Sequence, residues 1–265
     1  MNPTSASGPS SLARWAPRVV SLSMIIGVLA IFSILLPGPF YRLGVYGLTG
    51  AFGMIKCGAY GGILAVVIAI IGLILILLAR RPHYFIGVII GIVLGVVAWG
   101  IPYMWLIKAE SVPAIHDITT DTANPPRFQP GVLALRKEAQ NSAVYRGTEI
   151  AAQQAKAYPD IQPLVFKLPA TTVYAAALRT VQTLDWKLDS NDPVTGIIEA
   201  TSTSTWFGFK YDVVIRIQAI ANSSRLDIRS ESRMGEGDAG KNAQLIRTFR
   251  SALYKQLGLQ SLEKY

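Results

Sequence analysis

Residues 84–107 read YFIGVIIGIVLGVVAWGIPYMWLI, twenty-four consecutive positions without a charge. A helix of this length reaches about 36 Å, enough to cross the ~30 Å hydrocarbon layer of a bilayer. Trp99, Tyr103 and Trp105 gather near its second end, where an aromatic belt meets the headgroups. A single charge at the middle would cost about 2.5–3.5 kcal/mol on insertion scales, and none is present. Two further stretches meet the same test: 61–79, which ends at Arg80-Arg81-Pro82, and 19–36. The first 110 residues are therefore read as a three-span anchor in a lipid bilayer. The first span reads better as a retained anchor than as a cleaved leader. Its core exceeds the roughly 7–15 residues of a signal peptide, and Pro37-Gly38-Pro39-Phe40 follows in place of a small-x-small site. Gly44, Gly47, Gly50 and Gly53 punctuate the stretch before the second span, which predicts a flexible loop there, with a re-entrant or interfacial element as the alternative.

Gly87, Gly91 and Gly95 recur at i, i+4, i+8 and line one helix face. Small residues let backbones approach where lipid gives no hydrophobic drive. Gly62, Ala65, Ala69 and Gly72 of the second span are their expected partners in an antiparallel hairpin; a homo-oligomer joined through the same glycines is the alternative.

Charge divides the chain at the same place. Residues 1–110 hold seven Lys/Arg against one acid, Glu110; the rest holds 18 against 15. The basic excess thus flanks apolar spans, where it sets orientation, and the soluble part lacks the basic footprint of a nucleic-acid binder. With the N-terminus cytoplasmic, Arg14, Arg18, Arg80 and Arg81 lie inside, and Arg42, Lys56 and Lys108 outside. Three spans then put the C-terminal part outside. The spans hold no acid, so nothing points to an ion or proton pathway. Cys57 is the single cysteine, so no intrachain disulfide forms.

Residues 111–157 read as a proline-rich connector with a helical segment, and 158–265 as an α+β domain. Strands are expected at 164–167, 186–189, 196–205, 211–220 and 225–233, with helices at 170–184 and 238–257. The order β-α-β-β-β-β-α predicts an antiparallel sheet with both helices on one apolar face, a helix-grip-like arrangement. Along 211–220, Val213, Ile215 and Ile217 alternate with Asp212 and Arg216. The opposite face is accordingly expected to be a solvated ladder of Glu199, Asp212, Arg216, Asp227, Arg229 and Arg233. Its functional reading is an arginine-rich surface for an anionic lipid or polymer of the envelope.

Other motifs carry less. Gly235-Glu236-Gly237-Asp238-Ala239-Gly240 matches G-x-G-x-x-G, yet its two acids would repel a pyrophosphate and no strand follows the helix. A tight turn with Asp238 as helix N-cap explains it better. Asp189, Asn191, Asp192 and Glu199 miss the spacing of a calcium loop. His116, Asp117 and Asp121 form the one candidate acid–base or metal cluster, but no second His or Cys is available to join them. The plainer reading is that His116 and Asp117 tie the connector onto the domain. Neither G-x-S-x-G nor H-E-x-x-H occurs, so no cofactor, metal or catalytic set is expected and the reading leans away from an enzyme.

Several segments resemble the domain-of-unknown-function family numbered 1499: Ile115-His116-Asp117-Ile118-Thr119-Thr120-Asp121, Asn124-Pro125-Pro126, Ala157-Tyr158-Pro159-Asp160-Ile161, Gly196-Ile197-Ile198-Glu199-Ala200-Thr201, Trp206-Phe207-Gly208-Phe209, Asp212-Val213-Val214-Ile215-Arg216-Ile217 and Asp227-Ile228-Arg229-Ser230-Glu231-Ser232-Arg233-Met234-Gly235. The resemblance implies a bacterial envelope protein, often membrane-anchored, with no assigned activity and no catalytic residues to carry over. Where that family usually has two acids before the Val-Val run, this chain has Tyr211-Asp212. The expectation is a multi-pass inner-membrane protein with a non-catalytic periplasmic module that meets an envelope protein or an anionic ligand. A lipid carrier and a metal-dependent hydrolase using His116 are its rivals.

Overall fold

A computed structural model describes residues 11–259; the ends of the 1–110 and 158–265 segments lie outside this range. The chain divides into two units, residues 1–107 and 108–265.

Three helices of the first unit are long and apolar enough to cross a membrane. Helix α1 (Ser11–Leu35) is followed by the short α2 (Pro37–Arg42), α3 (Leu48–Leu78) and, after a 3-10 turn at Pro82–Tyr84, α4 (Phe85–Glu110). Helix α3 begins well before residue 61, so Gly50, Gly53, Lys56 and Cys57 are helical and the expected loop shrinks to Leu43–Gly47. A glycine costs a helix only about 1 kcal/mol, so Gly50 and Gly53 do not stop α3; further along, a Cβ on Gly58 would lie 2.9 Å from the Ala30 carbonyl oxygen, so glycine there admits α1. At about 46 Å, α3 exceeds the hydrocarbon thickness, and its first turns, with Lys56, can extend past it.

The glycine stripe is used within the chain. A Cβ on Gly62 would sit 2.6 Å from the Gly95 carbonyl oxygen, and one on Gly95 2.5 Å from that of Gly62. Gly91 faces Ser23 of α1 as well as Ala69, and both Gly87 and Gly72 pack on Val20. Two of the three stripe glycines thus serve α1, a contact that the pairing of spans two and three alone did not anticipate.

The second unit holds β1 (Asp117–Thr119), α5 (Pro130–Leu135), α6 (Thr148–Ala157), β2 (Leu164–Phe166), α7 (Ala170–Thr183), β3 (Lys187–Asp192), β4 (Ile197–Thr203), β5 (Lys210–Ile220), β6 (Ser223–Ser232) and α8 (Lys241–Gln256). The six strands form one antiparallel sheet, ordered β1-β6-β5-β4-β3, and β2 pairs with β6 beyond β1. Over 164–256 the observed order is the expected one. The connector, however, contributes β1, a strand of the same sheet.

That strand is held from both sides. Asp117, Ile118 and Thr119 pair with Glu231, Ser230 and Arg229. On the free edge the buried Gln154 of α6 stands in for a neighbouring strand: Thr119 N donates to Gln154 Oε1 at 3.0 Å, and Gln154 Nε2 donates to Thr119 O at 2.7 Å. Gln154→Ala leaves both backbone groups unmatched in a dry site. A loss of about 2 kcal/mol is expected, with faster amide exchange confined to residues 117–119; unchanged exchange there would contradict this role.

Alternation sets the two faces. Ile198, Ala200, Val213, Ile215, Leu226 and Ile228 join the core with Val173, Ala177 and Val181 of α7 and Ala243, Ile246, Phe249 and Leu253 of α8. Trp186 stacks on Phe249 at 6.0 Å and Phe166 meets Tyr254 at 5.7 Å in the same core. Helix α8 starts three residues later than expected. Gly240, at φ 78, is the N-cap, and Asp238 just outside accepts from the backbone N–H of Gly240 and Asn242.

Candidate functional site

The polar face of the sheet is an interior, contrary to the solvated ladder expected from its charges. Residues 120–145 cross it as a strap. Phe128 and Val132 pack on Ile197 and Val214, forming a small apolar core on the side away from the helices. Glu199, Asp212, Asp227, Arg229 and Glu231 are all buried beneath, with Arg229 only 2% exposed. The face is charged because the strap brings matching charges and carbonyls to it, a complement that strand alternation alone does not disclose.

Register groups the side chains. Asp212 lies opposite Glu231, Val214 opposite Arg229, Arg216 opposite Asp227, and Thr201 opposite Asp212. At one end of the face, Arg229 forks onto Asp117, with Nε to Oδ1 at 2.9 Å and Nη2 to Oδ2 at 2.8 Å. It also donates to the Pro126 and Ala143 carbonyls of the strap and to Glu231. The Phe128 ring lies 5.0 Å from its guanidinium carbon, and Tyr145 5.7 Å. Arg136, at the end of α5, donates to Asp212 at 2.6 Å and to Glu231 at 2.9 Å. Arg233 grips Asp212 and reaches the Leu135 carbonyl. Three guanidinium groups thus meet three carboxylates. At the other end, Arg216 and Arg225 both bind Asp121 and Asp227, another balanced set.

Glu199 is different. It is fully buried, and its oxygens accept from the Gln129 backbone N–H at 2.7 Å and the Ser190 hydroxyl at 2.6 Å. These two bonds fasten the strap to β3 and β4.

The His116, Asp117 and Asp121 group is dispersed among different partners. His116 Nδ1 donates to the Glu236 carbonyl at 3.1 Å, Asp117 is spent on Arg229, and Asp121 on Arg216 and Arg225. The His116 carbonyl accepts from Ser232 N and from Asn242 Nδ2, so this residue ties the connector to β6 and α8. Asp192 turns back onto Val194 N and the Thr195 hydroxyl, closing the β3–β4 turn. Gly235, at φ 88, and Gly240 bound the tight turn after β6, where a Cβ on Gly237 would lie 3.0 Å from the Ala114 Cα.

Arg136, Gln154, Arg225, Asn242 and Asn141, whose carbonyl accepts from Arg136 and whose Nδ2 donates to the Ser232 and Gly235 carbonyls, belong to these networks and were not among the site residues expected from the sequence. Arg136 lies 76 positions from Asp212 and 95 from Glu231, in a segment without clear periodicity. Asn242 was the more findable, since a polar residue sat on the otherwise apolar inward face of α8; it takes the Ser230 hydroxyl and donates to that of Ser232.

Burial, with the nearby Asp117 carboxylate next in weight, pushes the Glu231 carboxyl up to about 8, against the pull of Arg136 and Arg229. A folded-state pKa above the ordinary 4.5 means that the folded chain binds the proton more tightly. This contribution to stability is complete below the unfolded pKa and fades as pH rises through about 8. Unfolding curves between pH 5 and pH 8 are therefore expected to show falling stability, with a shallower fall in Glu231→Gln. An identical slope in parent and variant would contradict it. Burial raises Asp238 as well, so the difference between the two curves, not the raw slope, reports Glu231.

Chemically, the face is a set of guanidinium–carboxylate pairs that clamp a strap, with Arg136 Nε and Arg216 Nε buried without a hydrogen-bond partner. No curated protein matches the chain. The profile of a family described as a protein of unknown function, DUF1499, matches residues 117–253, from the first residue of β1 into the last turn of α8. That match spans more than half of the 265 residues, and the chain belongs to the DUF1499 family.

Proposed function

We propose that this multi-pass protein holds its DUF1499 unit on the outer face of a bacterial inner membrane, as a non-catalytic binding or structural module for an envelope protein. The observation that carries the non-catalytic reading is the engagement of the buried acids and arginines with each other and with the strap. Asp117, Asp212 and Asp227 each accept from a guanidinium, which leaves them poorly placed to take a substrate proton or a metal. The rival hydrolase would have to release Asp117 from Arg229 and Asp121 from two arginines first. Sidedness is supported by Arg14, Arg18, Arg80 and Arg81 at one end of the spans against Arg42, Lys56 and Lys108 at the other.

Alkaline phosphatase fused after Tyr265 should be active, and a cytoplasmic reporter at the same position silent; the reverse pattern would overturn the sidedness. Hydrolysis of an envelope-derived substrate by the purified chain, abolished by His116→Ala, would overturn the non-catalytic reading.

A further inference from the structure

We propose that the helical unit carries a site for one acidic phospholipid at the leaflet where α1 begins, built on Arg18 and Ser21. Packing fixes which charges share that level. Ala16 and Val20 of α1 cluster with Ile76 and Ala79 near the end of α3, and with Tyr84 and Val88 at the start of α4. The same end of the bundle therefore carries Arg14, Arg18, Arg80, Arg81 and His83. The one acid in the first 110 residues, Glu110, closes α4 at the opposite end.

A nearly flat patch on one face of α1 is formed by Pro17, Arg18, Ser21, Leu22 and Ile25. Its chemistry changes along the helix: a guanidinium with five donors, a hydroxyl one turn on, then two aliphatic side chains exposed toward the hydrocarbon. A diacyl phospholipid presents its groups in that order, as phosphate, glycerol and acyl chain. The Trp15 ring lies 5.3 Å from the Arg18 guanidinium carbon and restrains it. Arg80 closes α3 at φ 53, with Arg80 N donating to Leu77 O and Arg81 N to Ile76 O, and adds a guanidinium at the same end of the bundle. This site stands whichever side of the membrane that leaflet faces.

The full chain in non-ionic detergent can be equilibrated with phosphatidylglycerol or with phosphatidylcholine of the same acyl chains, with glycerol phosphate as the acyl-free arm, and read by native mass spectrometry. One phosphatidylglycerol should be retained in preference to phosphatidylcholine. Arg18→Gln should lower that retention about fivefold, Ser21→Ala should lower it less, and Arg42→Gln at the other end should leave it unchanged. Melting in phosphatidylcholine checks that each variant folds; if Arg18→Gln does not, Ser21→Ala carries the test. Equal retention of the two lipids, or full retention by a folded Arg18→Gln or, in its place, Ser21→Ala chain, overturns the site. So does glycerol phosphate binding as well as the lipid. Equal losses in Arg14→Gln, Arg81→Gln and Arg18→Gln with no effect of Ser21→Ala would indicate diffuse attraction, and also overturn it.

Discussion

Replacing Arg229 by alanine is expected to destabilise the soluble unit by about 3–5 kcal/mol, the cost of leaving buried charge without its partner. The loss concentrates several effects. Asp117 loses both hydrogen bonds of the fork, Glu231 keeps only Arg136, and the Pro126 and Ala143 carbonyls lose a donor. Phe128 and Tyr145 also lose the planar cation beside them. Lysine does not rescue the site, because one ammonium cannot fork onto a carboxylate and reach two carbonyls at once. Removing one acid together with the arginine should recover much of the loss: Arg229→Met with Asp117→Leu exchanges a charged pair for an apolar one and leaves Arg136 and Arg233 balanced by Asp212 and Glu231. Urea-dependent pulse proteolysis of the full chain in detergent measures both. A loss below about 1 kcal/mol for Arg229→Ala, a typical exposed pair, would contradict the buried clamp.

Gly95→Leu is expected to destabilise the helical unit by about 3 kcal/mol, at the upper end of overpacking. The new Cβ would stand 2.5 Å from the Gly62 carbonyl oxygen and 2.7 Å from Val66 Cγ2. A backbone oxygen cannot rotate away, so α3 and α4 must separate and expose the seam. Gly100 is the control, since a Cβ there meets nothing within 4 Å, and Gly100→Leu should be nearly neutral. Unfolding in mixed micelles of dodecyl sulfate separates the two variants. If Gly95→Leu changed only the oligomeric state and left unfolding of the monomer unaltered, the glycines would serve association between chains instead.

What the sequence disclosed follows from the range of the interactions involved. Val213, Ile215 and Ile217 alternate within one strand, and the helices that cover them carry their own periodic face, so the apolar side of the sheet was legible. The covering of the opposite side was not. Phe128 and Val132 lie in an aperiodic, proline-punctuated stretch far from Val214, and nothing local states that they land on it. Without that cover, Asp212 and Arg229 read as solvent-facing charges, and the proposed anionic surface rested on that exposure. Strand β1 was hidden for a related reason: all three of its residues are buried, so no alternation marks it. In the helical unit, length and apolarity located the spans, whereas Gly50 and Gly53 suggested a break although a glycine costs a helix only about 1 kcal/mol and neither stops α3.

The reactivity of a cysteine placed under the strap tests the closed polar face most directly. Val214→Cys in a Cys57→Ser background, with Val194→Cys as the 93% exposed control, can be timed against a water-soluble maleimide in the folded chain. A sealed face requires Val214→Cys to react on the order of 100-fold more slowly than Val194→Cys, as for a site reached only by local opening, and to react fully once unfolded in urea. Comparable rates at the two positions in the folded protein would show that the strap does not cover the sheet.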